Sequence, residues 1–355
     1  MAPDAKPTVL LLSVFLLVVS AGCLGIFGDD GTESGTVRFV PEGADGVLRV
    51  NVTALHDQPT TESLFDGLAE REGSRYYDSY NDFLAGAENT TGLDPRGLEE
   101  MTAFVDVSDG SFAANDAYAG VVFRAGWDVD SMIDATPEGV TVEEREYNDE
   151  SLYVFTSNAT RTTYMTRLSE NVYAAGTEDA VRDASDVSRN GAEPLGGVLR
   201  EELDERQDEK VAFAVSASQE AVAAVPGSEL PPEALNGISA VSGSYRTDPE
   251  NRTVGVSASL IPSEREDPEN VRQTVDGFLS LAGMAAEDEE TAEAIDSVNV
   301  TVEDSEVAVS HETPVEDAVR DFRVLNRRFG LAERLKRSVA IDFDSYAVET
   351  GVDEP

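Results

Sequence analysis

The chain has 355 residues, 70 of them Asp or Glu against 26 Lys or Arg, for a formal net charge of −44. That balance argues against a nucleic-acid partner, because phosphate recognition needs a basic footprint. An acidic disordered protein is excluded as well, since 41% of the residues are hydrophobic and they recur with strand and helix periods.

Charge of this size repels itself in dilute buffer. At molar salt the Debye length falls to about 3 Å, and dense carboxylates then keep a hydrated, cation-rich surface soluble. The composition therefore suits a halophilic protein.

The N-terminus carries the most specific signal. Val9 to Phe27 contains no charge and includes Ser20-Ala21-Gly22 directly before Cys23, the single cysteine of the chain. Small residues ahead of a cysteine form a lipobox-like site, so residues 1–22 are expected to be a signal peptide and Cys23 the lipid-anchored N-terminus. There is no twin arginine, which favours the general secretory route. The same apolar stretch approaches the ~20 residues that span hydrocarbon, leaving an uncleaved transmembrane anchor as the alternative. Either way Lys6 stays inside and the body lies outside. The lipobox-like run, an acidic tether over 23–35 and the extreme acidity together resemble the cell-surface lipoproteins of haloarchaea. That resemblance implies the extracellular face of the cell membrane and brings no activity with it.

The folded body is expected from Thr36. Val47 to Ala54 alternates, with Leu48, Val50 and Val52 on one face and Arg49, Asn51 and Thr53 on the other, which predicts a strand with one polar side. A helical region follows over Ser63 to Glu88. Strands are predicted at Met101 to Ser108 and Tyr118 to Phe123, then a hairpin from Arg161 to Leu168 into Val172 to Ala175. Thr177 opens the next helix as a cap. Leu195, Leu199 and Leu203 give Glu193 to Arg206 one apolar stripe, a connecting helix within 191–208. Strands follow at Val211 to Ala217, Ile238 to Tyr245 and Thr253 to Ala258, and a hairpin from Val298 to Val302 into Val307 to Ser310.

Two stretches share an identical hexapeptide. Glu178-Asp179-Ala180-Val181-Arg182-Asp183 recurs as Glu316-Asp317-Ala318-Val319-Arg320-Asp321, each time after a strand and at the start of a helix. Thr313-Pro314-Val315-Glu316 has the pattern of a capping box with proline at the first helical position. The upstream strands match in order as well. These matches predict an α+β fold of two related halves, 36–190 and 209–330, each a mainly antiparallel sheet with helices packed on one face. Residues 331–355 form a C-terminal extension. Between Ala318 and Ser338 the charge changes sign, with seven Arg or Lys against Asp321 and Glu333. A packed helix whose arginines pair with the acidic body is expected there, with anionic headgroups as the alternative partner.

The search for chemistry finds little. The two histidines, His56 and His311, lie far apart, and no zinc motif, nucleophile elbow or phosphate loop occurs. No enzyme activity, cofactor or metal is expected. Asp128-Val129-Asp130 with Asp134, and Asp342-Phe343-Asp344, lack the glycine turn and distal glutamate of a calcium loop, and the first reads better as a helix start. Asn51, Asn89, Asn158, Asn251 and Asn299 head Asn-x-Ser/Thr triplets, five of thirteen asparagines where chance gives about two, and mark glycosylation candidates on an exported protein. The leading expectation is a non-enzymatic, lipid-anchored surface protein with membrane lipid and an unknown surface protein or solute as partners. A transporter's solute-binding lipoprotein and a carboxylate-dependent hydrolase are the alternatives.

Overall fold

A computed structural model describes residues 35–318 apart from 57, 73–78, 107–117, 138, 158–161, 218–236, 249, 251, 264–266, 285–288 and 304. The fold is α+β and is organised by one large antiparallel sheet. Its strands are β1 (Gly46–Asn51), β2 (Leu98–Val105), β3 (Ala119–Ala125), β4 (Val140–Tyr147), β5 (Glu150–Ser157), β6 (Thr162–Ser169), β7 (Val172–Gly176), β8 (Val211–Ser216), β9 (Ile238–Asp248), β10 (Thr253–Pro262), β11 (Asn299–Glu303) and β12 (Glu306–Pro314). Across the 12-stranded sheet the order is β11-β12-β10-β9-β8-β1-β2-β3-β7-β6-β5-β4.

The seam between the two halves is the β1–β8 pair, antiparallel from Gly46↔Val215 to Val50↔Val211. Outward from it the order is β1-β2-β3-β7-β6 on one side and β8-β9-β10-β12-β11 on the other, with the β4–β5 hairpin added beyond β6. That hairpin turns at Asn148 and Asp149, both at positive φ, as a two-residue turn matched to the strand twist requires.

Helices cover both faces of this sheet, which corrects the one-face expectation. On one face α5 (Glu178–Ser188) buries Ala180, Val181 and Ala184, and α6 (Gly197–Glu205) buries Leu199 and Leu203. They join a core with Val47, Phe104, Val122, Ala174, Ala212 and Ala214. On the other face α1 (Val52–His56) packs Val52 and Leu55 on Leu48, Val50 and Met101. Beyond it lie α2 (Pro59–Glu72), α3 (Tyr80–Thr91) and α4 (Val129–Asp134), whose Met132 meets Met165 and Tyr173. In the second half α7 (Pro268–Met284) sets Val271 against Val307 and Ile238, and α8 (Glu289–Asp296) follows it. The physical reason is legible in β8, where Val211-Ala212-Phe213-Ala214-Val215 is apolar at every position, the pattern of a strand buried on both sides.

The supposed polar side of β1 is likewise interior, and Arg49 is only 8% exposed. Thr177 stands at the N-cap of α5, but its side chain makes no cap bond and instead pairs with the backbone of Ala119. Thr313 and Pro314 complete β12, opposite Val254 and Thr253, and the helical turn begins at 315, one residue later than the capping pattern predicts. Val181 is buried, whereas Val319 lies outside the described residues.

Candidate functional site

A cavity of about 490 Å³ lies between the start of α4 and the ends of β5, β6 and β7. That volume falls within the range of small-molecule sites. Its aromatic wall is Trp127, Tyr153 and Tyr173, and its rim holds Asp128, Asp130, Glu150, Glu170 and Arg167.

Trp127 and Tyr173 are each fixed by other parts of the chain. Tyr173 stacks on Phe123 at 5.5 Å and donates its hydroxyl to the Trp127 carbonyl at 3.0 Å. Burial pushes the Tyr173 phenol above its ordinary range. The Trp127 indole N–H donates to Asp94 O at 2.9 Å, and its ring lies over Gly97, where a Cβ would collide with it. With its one polar atom satisfied, the indole can offer only its face. Asp128 accepts from the Ser131 backbone N–H at 2.7 Å as N-cap of α4, which holds its carboxyl below the usual range. Asp128 to Asp134 thus forms the helix start expected from the sequence.

A second polar constellation lies under α6. Glu202, 4% exposed, pairs with Arg206 at 2.6 Å and accepts from Ser242 Oγ, while Arg206 Nη2 donates to Ser259 Oγ at 2.7 Å. Carboxylate oxygens of Glu202, Glu205 and Glu306 lie within 4.8 Å of one another. Burial, and then the charge of Glu202, push Glu306 upward. Arg206 offsets one of these three carboxylates, and the upward shift of Glu306 answers the repulsion that is left.

The other residues singled out in the sequence are dispersed. His56 Nδ1 pairs with Tyr80 Oη at 2.7 Å, and burial, then the charge of Arg96, push its imidazole down to about 3. It is a neutral packing histidine. His311 pairs with Ser297 at 3.0 Å on β12. Asn51 Oδ1 accepts from the Ala54 N–H at 2.8 Å, which starts α1. Asn89 and Asn299 are exposed, on α3 and at the start of β11. Ser20, Ala21, Gly22, Cys23, Asn158, Asn251, the Asp342 cluster and the arginine-rich segment lie outside the described residues. Of the cavity residues only Asp128 and Asp130 stand out in the sequence, as an acidic cluster; the further signal is the sole tryptophan beside that helix-starting aspartate.

Neither a protein family nor a curated protein matches the sequence. Among solved structures, crystal form III of TP0453 overlaps with a TM-score of 0.47 at 11% identity, covering 82% of this chain and 99% of that one. Crystal form I of TP0453 gives 0.43 at 10% identity, over 83% and 98%. At those scores the overlap says nothing about ligand or activity. Among the described residues no helix is long and apolar enough to cross a membrane.

Proposed function

We propose that this chain is a non-enzymatic, lipid-anchored, halophilic cell-surface protein whose duplicated α+β body is a binding module, with the Trp127 cavity as its ligand site. The observation that carries the binding role is the cavity's chemistry. Aromatic faces ringed by four carboxylates and one arginine suit a small polar solute bearing a cationic group, which gains from both the π-faces and the acidic rim. Duplication is supported by the same outward strand order on both sides of the β1–β8 seam and by the repeated hexapeptide. Anchoring through Cys23, export and glycosylation at the exposed Asn89 rest on the sequence pattern.

A transporter's binding protein is the weaker alternative, because its two lobes close on a hinge, whereas here the halves are hydrogen-bonded into one sheet. The binding role is tested by titrating the sole tryptophan's fluorescence in molar KCl with amino acids, betaines and polyamines. Saturable quenching, lost in Tyr153→Ala, with a matching rise in melting temperature, is expected. A flat response across the panel would defeat the cavity assignment. The anchor is tested separately: Cys23→Ser should abolish lipid labelling and detergent partitioning, and retention of both would refute it.

A further inference from the structure

The face of the second half that carries α6 is chemically unlike its counterpart in the first half. In the first half the chain leaves β7 at Gly176 and enters α5, which lays Ala180, Val181 and Ala184 over an apolar surface containing Val122, Val172 and Ala174. In the second half the chain leaves β12 at Pro314, Val315 is buried and donates its N–H to Arg252 O at 3.0 Å, and a helical turn runs over 315–318. The topological position is that of α5, and so is the hexapeptide.

What lies beneath that position follows from the register. Ser259 pairs with Ala308, Ser257 with Ser310 and Thr301 with Ala308, so these small side chains share one face. It is the α6 face, because Ser259 receives Arg206. Glu303 and Glu312 stand on the same face, since Glu303 pairs with Glu306, and Glu306 and Glu312 are two-residue steps along β12 from Ala308 and Ser310, while Glu306 itself is taken up by Glu202. α6 reaches this surface at β9, at Ser259 and at Glu306, so beyond it lies a pavement of serine, threonine and alanine with Glu303 and Glu312 at its rim and Arg246 over Gly255 at one end.

We propose that the arginine-rich segment following Ala318 docks across this face, over β10, β12 and β11, as α5 does over β3, β7 and β6. Three observations select this occupant. The segment begins where the chain already enters a helical turn beside the face. Its sequence keeps an apolar stripe at Val315, Val319, Phe322 and Phe329, which small side chains beneath admit closely. Its seven cations against two acids, in a protein of charge −44, complement the glutamate rim. Ion pairs in direct contact survive a Debye length of ~3 Å, whereas longer-range attraction to a lipid surface does not. The docking follows from the matching strand orders and not from the cavity, so loss of ligand binding leaves it intact.

The test uses the chain carrying Cys23→Ser, which has no thiol, with Ser310→Cys as a probe on the face and Asn89→Cys on exposed α3 as a control. Maleimide labelling in molar KCl is compared between the full chain and one ending at Ala318. Ser310→Cys should react at least ten-fold more slowly in the full chain, while Asn89→Cys reacts at one rate in both. The full-length variant Arg320→Glu, Arg323→Glu, Arg327→Glu should react at the truncated rate, and it carries the test alone should truncation prevent folding. Equal rates for full and truncated chains, or no effect of charge reversal, would overturn the proposal. So would protection that appears only when anionic vesicles are added.

Discussion

Arg49 Nη2 donates to the carbonyl of Arg206 at 2.6 Å and to that of Glu209 at 2.9 Å, so a cation from the central strand closes the C-terminal end of α6. Carbonyls at a helix end lack intrahelical partners, and a positive charge there also meets the favourable end of the helix dipole. Because β1 belongs to the first half and α6 leads into the second, this contact ties the two across the seam. Arg49→Met keeps most of the apolar volume but takes the guanidinium donor from both carbonyls, leaving Arg206 O with only the Glu209 N–H at 3.0 Å. It should cost about 2–4 kcal/mol in chemical denaturation at molar salt. An unchanged midpoint would show that the contact is not structural.

Glu306 supplies a pH test of the polar network under α6. Burial and the neighbouring Glu202 raise its pKa above the ordinary 4.5, so the folded state prefers the protonated acid. The stability this lends is full below about pH 4.5 and is lost as pH rises through the raised value. Glu306→Gln should therefore melt higher than the parent at pH 7, with the gap closing toward pH 4. A constant gap across that range would mean that the carboxylate is not frustrated.

Much of the sheet is readable from alternation and turn chemistry. The predicted strand from Val172 appears as expected, and Leu195, Leu199 and Leu203 are all buried, but the helix starts only at Gly197, so Leu195 precedes it and the stripe on the helix is Leu199 and Leu203. The reading falters where burial is two-sided. Arg49 and Asn51 look like a solvent face in sequence, yet Arg49 is held under α6 by backbone carbonyls, which periodicity cannot register. The β4–β5 hairpin goes unassigned although Asn148-Asp149 is a recognisable two-residue turn, because β4 is so rich in glutamate that it resembles a surface loop. The cavity is assembled from Trp127, Tyr153, Arg167 and Tyr173, carried by different elements, so no local window contains it.

Gly97 sets the position of the Trp127 ring. A methyl group there would run into the indole and displace it from Asp94 O. Gly97→Ala should shift the emission of the only tryptophan, weaken solute quenching several-fold and cost about 1–3 kcal/mol through overpacking. Parental emission and binding in that variant would show that the ring is held from elsewhere.

Salt is the broadest test, because it acts on the whole −44 charge at once. At about 0.1 M the Debye length is ~10 Å, long enough for neighbouring carboxylates on the sheet edges and exposed helix faces to repel one another. β4 makes the point locally: Glu143, Glu144 and Glu146 follow one another on an edge strand, with Arg145 beside Glu143 at 3.1 Å as a partial counterweight. Lowering KCl from molar to 0.1 M should drop the melting temperature and expand the body in small-angle scattering. Replacing Glu144 and Glu146 with glutamine should recover part of that loss at low salt and change little at high salt. A melting temperature that is flat across the salt range would contradict the halophilic assignment.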